Sequence, residues 1–288
     1  MRIKLDSFSE RHRQRTTDIQ AGRLVPPVPR DAATVMVVRA AGDRLEVLMM
    51  RRPAAMKFAP GAYVFPGGSV DASDATPEIG WYGPDPAEFG ARLGAPAELA
   101  RALVCAAVRE TFEESGVLLA GPADGGAVTA EFGSTMSGPS WQADRAAVIA
   151  GELTLAALLA SRDLVIRADL LTPWTRWITP EGESRRFDAR FFVAALPAGQ
   201  EPTGHVAEAD EVAWLRPADA IAAARAGDIS LLPPTATTLK DFAVMAAAGG
   251  GVPDLLAMRR TIEPICPRLV VEDGETWLLV PDDVEYPL

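Results

Sequence analysis

Between Arg109 and Val117 the chain reads R-E-T-F-E-E-S-G-V, which places the carboxylates Glu110, Glu113 and Glu114 within five residues. On a helix, positions i, i+3 and i+4 share one face, stacked over about one turn. Val104, Val108 and Phe112 then fall on the opposite side. The expected helix has an apolar back and an acidic front. Glu110 and Glu114 are like charges at i,i+4, which costs a few tenths of a kcal/mol (roughly) unless a cation compensates. Arg109 is spaced to hold Glu113 at i,i+4, but no Lys or Arg within the turn can neutralise all three acids. A divalent cation can, because Mg²⁺ takes oxygen ligands and commonly binds through a few carboxylates plus substrate phosphate. The competing reading is a solvated acidic face, which is what E-x-x-E-E most often is when it stands alone.

The elements that would position these residues can be placed from pattern. Gly116 supplies the left-handed residue that ends the helix, and the helix is expected to begin near Pro96 and run to Ser115. Ala33 to Ala40 reads as a buried strand and Leu45 to Met50 as its hairpin partner across Ala41-Gly42-Asp43, with Arg51 and Arg52 following. Residues 58–68 read as a strand broken by turns that ends in Pro66-Gly67-Gly68, where a glycine lets the backbone approach a ligand closely. Residues 75–101 are rich in Gly and Pro and are expected to form a loop with at most short helical pieces, anchored by Trp81 and Tyr82. A loop of that length is usually functional or disordered. The alternatives are a cap over the mouth of the site and a plain surface excursion.

Downstream, helices are expected at 141–149 and 153–160, strands at 172–179 and 186–196, a strand around 208–215, and a helix from Pro217 to Gly227. Arg176, Arg185, Arg186 and Arg190 gather around one hairpin, and arginine binds phosphate bidentately. With Arg52 they form the candidate set for substrate phosphate. The alternative is ion pairing with Glu181, Glu183 and Asp188. Glu208 and Glu211, just before Trp214, are candidates for a further carboxylate acting as ligand or general base. The C-terminal stretch reads as a helix after Pro233-Pro234, a second near 255–261, and a hairpin across Glu272-Asp273-Gly274-Glu275.

Composition narrows the class. The 288 residues suit an arm over 1–30, a catalytic domain over 31–230 and a C-terminal extension over 231–288 packed on the same domain. The short basic run Arg11-His12-Arg13-Gln14-Arg15 reads as part of a solvated tail. A formal charge of −11 disfavours a nucleic-acid partner, whose affinity rests on Lys and Arg. No apolar run is long enough for a transmembrane helix, and no apolar signal core opens the chain, so a cytoplasmic protein without a membrane partner is the expectation. Two cysteines make a disulfide framework unexpected, and Cys105 reads as a small core residue. A homodimer is compatible with this reading.

Taken together, Gly68, Asp74 and the Arg109–Val117 segment resemble the Nudix box, G-x5-E-x7-R-E-U-x-E-E-x-G-U. The second half matches, with Thr111 where an aliphatic residue is usual. In the first half Asp74 stands for the Glu, and 34 residues rather than seven precede Arg109, an insertion of 27 residues over roughly 75–101. That length puts a role for the first-half acid in doubt. An interrupted box of this kind is similar to that of the peroxisomal coenzyme A diphosphatase branch, as are Gly61 to Gly68, Arg176 to Pro180 with Arg185 to Asp188, and Leu279 to Tyr286. The chain ends Tyr286-Pro287-Leu288 rather than in the peroxisomal S-K-L address, so that targeting does not carry over.

The resemblance implies an α/β (α+β) Nudix fold, a mixed β-sheet sandwiched between helices, with a C-terminal helical and hairpin extension. It implies Mg²⁺ or Mn²⁺ held by Glu110, Glu113, Glu114 and Gly68. Arg109, Glu113, Glu114 and either Glu208 or Glu211 would be the catalytic residues. The implied substrate is a small-molecule nucleoside diphosphate derivative, such as coenzyme A or its acyl forms. ADP-ribose or a dinucleotide is the alternative within the family, and a non-catalytic nucleotide-binding module the alternative outside catalysis.

Overall fold

A computed structural model describes residues 1–5, 10–56, 59–76, 78–126, 139–204, 210–281, 284 and 286–288. The chain opens with β1 (Arg2–Lys4) and α1 (Glu10–Gln20), then β2 (Arg30–Ala41), β3 (Arg44–Arg51), β4 (Ala62–Val64) and β5 (Gly67–Ser69). A 3-10 turn (Ala72–Ala75) leads to β6 (Trp81–Tyr82), α2 (Pro86–Leu93) and α3 (Ala97–Ser115). There follow β7 (Ala120–Gly121), α4 (Pro139–Ile149), α5 (Leu155–Ser161), β8 (Val165–Arg167), β9 (Thr172–Ile178), β10 (Phe187–Ala195) and β11 (Glu211–Leu215). The chain closes with α6 (Pro217–Ala226), β12 (Ser230–Leu231), α7 (Pro233–Ala247), α8 (Val252–Ala257), β13 (Pro264–Ile265) and the hairpin β14 (Arg268–Glu272) and β15 (Glu275–Leu279).

The run A-T-V-M-V-V in β2 has no polar face because it lies at the centre of a mixed sheet covered on both sides. The order is β12-β4-β3-β2-β10-β9-β13, with β11 paired to β3 and β5 to β2. Strand alternation sends Ala33, Val35 and Val37 into one layer and Met36 and Val38 into the other. The first layer holds α2, α3, α4 and α5; the second holds α6, α7 and α8. The mixed sheet between helices is the architecture that the resemblance implied.

The first residues differ from the expected solvated tail. Strand β1 pairs antiparallel with β15, and α1 carries the basic run. There Arg13 bonds Glu10 at 2.8 Å, and His12 lies 3.8 Å from Glu183. Three-residue strands carry too little pattern to be read from sequence. This one exists because the edge of the last hairpin needs a partner.

Among its described residues the insertion carries a two-residue strand and one short helix. Asp85 caps α2 by accepting from the Ala87 amide at 2.8 Å, Glu88 answers from the third position, and Gly94 closes the helix at φ 62°. Strand β6 joins β8 and β7 in a small sheet, and the Trp81 ring packs edge-on against Phe89. With α2 on one flank and β5 on another, residues 102–108 of α3 are buried on every side, including Cys105. Burial pushes the Cys105 thiol up to about 12. An all-round apolar stretch is what a central helix requires.

Candidate active site

Helix α3 starts after Pro96 and ends at Gly116, whose φ of 73° lets its amide reach back to the Phe112 carbonyl at 2.9 Å. Its last turn carries the three carboxylates. Thr111, Phe112 and Ser115 are buried behind, while Glu110, Glu113 and Glu114 are half-buried in front. Thr111 fits a position expected to be aliphatic because its hydroxyl donates to the Ala107 carbonyl one turn back, at 2.7 Å. Its methyl can then pack like that of a Val.

Arg109 is the hub of the front. Its guanidinium donates to both Asp74 carboxylate oxygens at 2.9 Å, to the Ser69 carbonyl at 3.0 Å, and to Glu110 and Glu113 at 2.9 and 3.2 Å. Burial alone would lower the Arg109 pKa. The hydrogen bonds and charge of Asp74, with the charges of Glu110 and Glu113, outweigh it and hold the group above its ordinary value. Asp74, the first-half acid, contacts Arg109 across the insertion. Local structure prepares it. Asp71 caps the 3-10 turn through the Ser73 amide, and that hydrogen bond lowers the Asp71 pKa. Asp74 accepts from the Asp71 amide at 2.8 Å, which aims its carboxylate at Arg109.

The other wall is the break between β4 and β5. Strands β2 and β3 splay apart, β4 pairs with the end of β3, and β5 pairs with the start of β2. The Gly67 amide donates to Glu114 at 2.7 Å. Gly68 lies so close to the Glu110 carboxylate that a Cβ there would overlap it. Gly68→Ala is therefore expected to push Glu110 aside. Activity should fall by at least about tenfold, since misplacing a reacting group by an ångström can cost more than that, while the far-ultraviolet spectrum stays unchanged. Wild-type turnover by Gly68→Ala would deny Glu110 its role.

Glu110, Glu113, Glu114 and the Gly68 backbone offer oxygen donors, the type a hard divalent cation takes. Glu110 already rests in the cradle left by the missing Gly68 side chain. The acids are turned toward Arg109 and Gly67, and among the described residues no three His, Cys, Asp or Glu side chains gather round one point.

The remaining sequence candidates lie elsewhere. Arg176 makes a two-pronged pair with Asp188 at 2.8 and 2.7 Å. Arg190 is buried against Asp31 and Asp188, and Arg186 is buried and donates to the Thr179 and Pro27 carbonyls at 2.9 and 3.0 Å. Arg176 and Arg190 thus pair with Asp188, one of the acids in the ion-pair alternative, while Arg186 bonds backbone carbonyls instead. Arg185 is exposed in the turn before β10, and Arg52 follows β3. Glu211 is paired opposite Arg51 and accepts from the Tyr63 hydroxyl at 2.9 Å. Its row shares the side of Val47, Met49 and Leu215, the face of the sheet opposite α3. The structure does not bring Glu211 to the carboxylate front. Glu208 lies outside the described residues. Sequence reading also passed over Arg145, which donates to the Glu113 carbonyl at 3.0 Å.

Comparison with known proteins agrees with this geometry. A family model of the NUDT19 Nudix domain matches residues 84–241, a span that includes all of α3. The acyl-coenzyme A diphosphatase NUDT19 of Gallus gallus is 30% identical over 71% of this chain and 65% of its own length. The human acyl-coenzyme A diphosphatase NUDT19 is 31% identical over 67% of this chain and 59% of its own. The chain thus spans about three-fifths of the length of these vertebrate relatives. A solved NUDIX hydrolase from Alicyclobacillus acidocaldarius superposes with a TM-score of 0.64 at 31% identity, covering 81% of this chain and 98% of that one. With an interrupted but spatially reassembled box on the expected sheet, the chain belongs to the Nudix hydrolases, in the family of the NUDT19 Nudix domain.

Proposed function

We propose that this chain hydrolyses the diphosphate bond of a nucleoside diphosphate derivative with the help of Mg²⁺ or Mn²⁺, and that its substrate is coenzyme A or an acyl-coenzyme A. The products would be 3′,5′-ADP and 4′-phosphopantetheine or its acyl form. The observation that carries the reading is the Arg109 hub, which brings Asp74, 35 positions earlier, together with Glu110 and Glu113. The names of the vertebrate relatives support the choice of substrate.

Glu110, Glu113 and Glu114, with the Gly68 carbonyl, would hold the metal. When bound, the metal neutralises diphosphate charge and lowers the pKa of a water. Glu113 or Glu114 would take the proton of the attacking water as general base. Arg109 keeps Glu110 and Glu113 apart from one another's charge and fixed in direction, so no reorganisation is needed when negative charge develops. The Gly67 amide holds Glu114 in the same way. Arg185, exposed before β10, and Arg52, which follows β3, would bind substrate phosphate.

The test is a hydrolysis panel with Mg²⁺ or Mn²⁺ over coenzyme A, acetyl-coenzyme A, ADP-ribose, NADH and diadenosine polyphosphates, with products identified. Release of 3′,5′-ADP from coenzyme A or its acetyl form at the highest kcat/KM is the expected result. A preference for ADP-ribose or a dinucleotide would discard the coenzyme A assignment and keep the metal mechanism. No turnover by a folded chain would favour a binding module.

A further inference from the structure

The end of α3 is fastened in an unusual way. The last four carbonyls of a helix lack partners within it, and most helices satisfy them with the residues that follow directly. Here the Phe112 carbonyl is met locally by the Gly116 amide, but two others are met from far away. Arg145, on α4, donates through Nε to the Glu113 carbonyl at 3.0 Å. The Thr203 amide, beyond β10, donates to the Ser115 carbonyl at 2.8 Å. Arg145 also ties these two anchors together, because its Nη1 donates to both the carbonyl and the hydroxyl of Thr203 at 2.9 Å. Two residues on, the Gln200 side chain pairs with both the amide and the carbonyl of Leu118, each at 2.9 Å.

Gly116 is part of the same device. A Cβ there would sit 2.8 Å from the Thr203 hydroxyl and 3.1 Å from Arg145 Nη1. The glycine that closes the box is therefore required twice, once by its left-handed backbone and once because the clamp passes over it. The arrangement has a cost. Arg145 is half-buried, and its Nη2 is buried with no hydrogen-bond partner among the described residues. Burial lowers its pKa, against the opposing pull of the Glu114 charge. A guanidinium kept at that cost, at the residue whose side chain belongs to the carboxylate front, has a use beyond filling space.

We infer that Arg145 is a positioning residue of the active site: by locking the Glu113 carbonyl to Thr203 it fixes the last turn of α3, and with it the directions of Glu113 and Glu114. Arg145 touches neither metal nor substrate and acts through those two acids. The inference rests on the proposed metal-dependent reading of the same site. It differs from a simple favourable charge at a helix end, because a charge effect would be kept by Lys whereas the two-way fork would not.

Three readouts test it: kinetics, binding of Mn²⁺ alone by calorimetry, and amide hydrogen exchange in the metal-free protein. Arg145→Gln and Arg145→Lys are both expected to lower kcat by about 10- to 100-fold with KM within about threefold, as loss of orientation does. Both should weaken Mn²⁺ binding and speed exchange at residues 115–118, with β2 amides unchanged. Wild-type kcat, Mn²⁺ affinity and exchange in Arg145→Lys would overturn the inference. If the Arg145 variants fail to fold, Thr203→Val, which removes only the hydroxyl acceptor, should shift exchange and Mn²⁺ affinity in the same direction, and no change in either would overturn it. A wild-type chain that hydrolyses nothing defeats the functional reading, but exchange and the Mn²⁺ titration still decide the role of Arg145.

Discussion

Glu113→Gln and Glu114→Gln are each expected to lower kcat by about 10²- to 10⁴-fold, the range that general-base catalysis contributes, with Tm close to wild type. The reason for the sparing of stability is local. Both side chains stand half-buried on the front of α3, while the apolar back of the helix holds the core. Gln keeps an oxygen to accept from the Gly67 amide, so the contact that orients residue 114 survives. The ion pair lost at residue 113 is the longest of those Arg109 makes. Removing one of three neighbouring negative charges also relieves repulsion worth a few tenths of a kcal/mol, roughly, per pair. A Michaelis–Menten comparison with calorimetric Tm checks both halves. Glu211→Gln is the matched control: on the far face of the sheet with Tyr63, it is expected to leave kcat unchanged. A fully active Glu113→Gln/Glu114→Gln double variant would remove the metal site, and a dead Glu211→Gln would contradict the assignment of faces.

The parts of this fold that were legible in the sequence are those set by neighbours along the chain. Pro96 and Gly116 bound α3 as expected, the proline standing at the N-cap in extended backbone and the glycine accepting the left-handed cap. The hairpin of β14 and β15 was legible from its turn residues, and Gly274 indeed has φ 78°. The acidic front needed only the helical period. What was not legible depends on strand register or on pairings distant in sequence. The arginines could be read as a phosphate cluster or as ion pairs, because their types and closeness were visible while the strand register that selects their partners was not. In the sheet, Arg176 lies opposite Arg190, and Asp188 is two residues from Arg190 on the same strand face. That i,i+2 relation was the one available signal. Asp31 comes from β2, through a parallel pairing that no local pattern announces. The same limit hid Arg145, whose two anchors lie 32 and 58 residues away. Within the insertion, short helical pieces were expected but not placed: the capping residues Asp85, Glu88 and Gly94 were present, but so many glycines and prolines obscured the eight-residue helix.

The largest loss of stability is expected from Arg109→Met. The substitution leaves Asp74, whose side chain is 1% exposed, buried and without its two-pronged partner. It also returns Glu110 and Glu113 to mutual repulsion. Breaking a buried pair from one side typically costs about 3–5 kcal/mol, because the stranded charge keeps its desolvation penalty. In a chain of this size that amounts to a fall in Tm on the order of 10 °C. Removing both partners should cost less than removing one. In Arg109→Met/Asp74→Asn the buried carboxylate charge is gone, and the residual amide still accepts from the Asp71 amide that Asp74 now engages. Part of the Tm should therefore return in the double variant, and activity should not. Glu110 and Glu113 would remain without the cation that separates and aims them, so stability and turnover part company. A double-variant cycle with Tm and kcat measured on the same samples reads this separation. Recovery of kcat along with Tm would mean that Arg109 serves only to neutralise Asp74, and that the front orients itself without it.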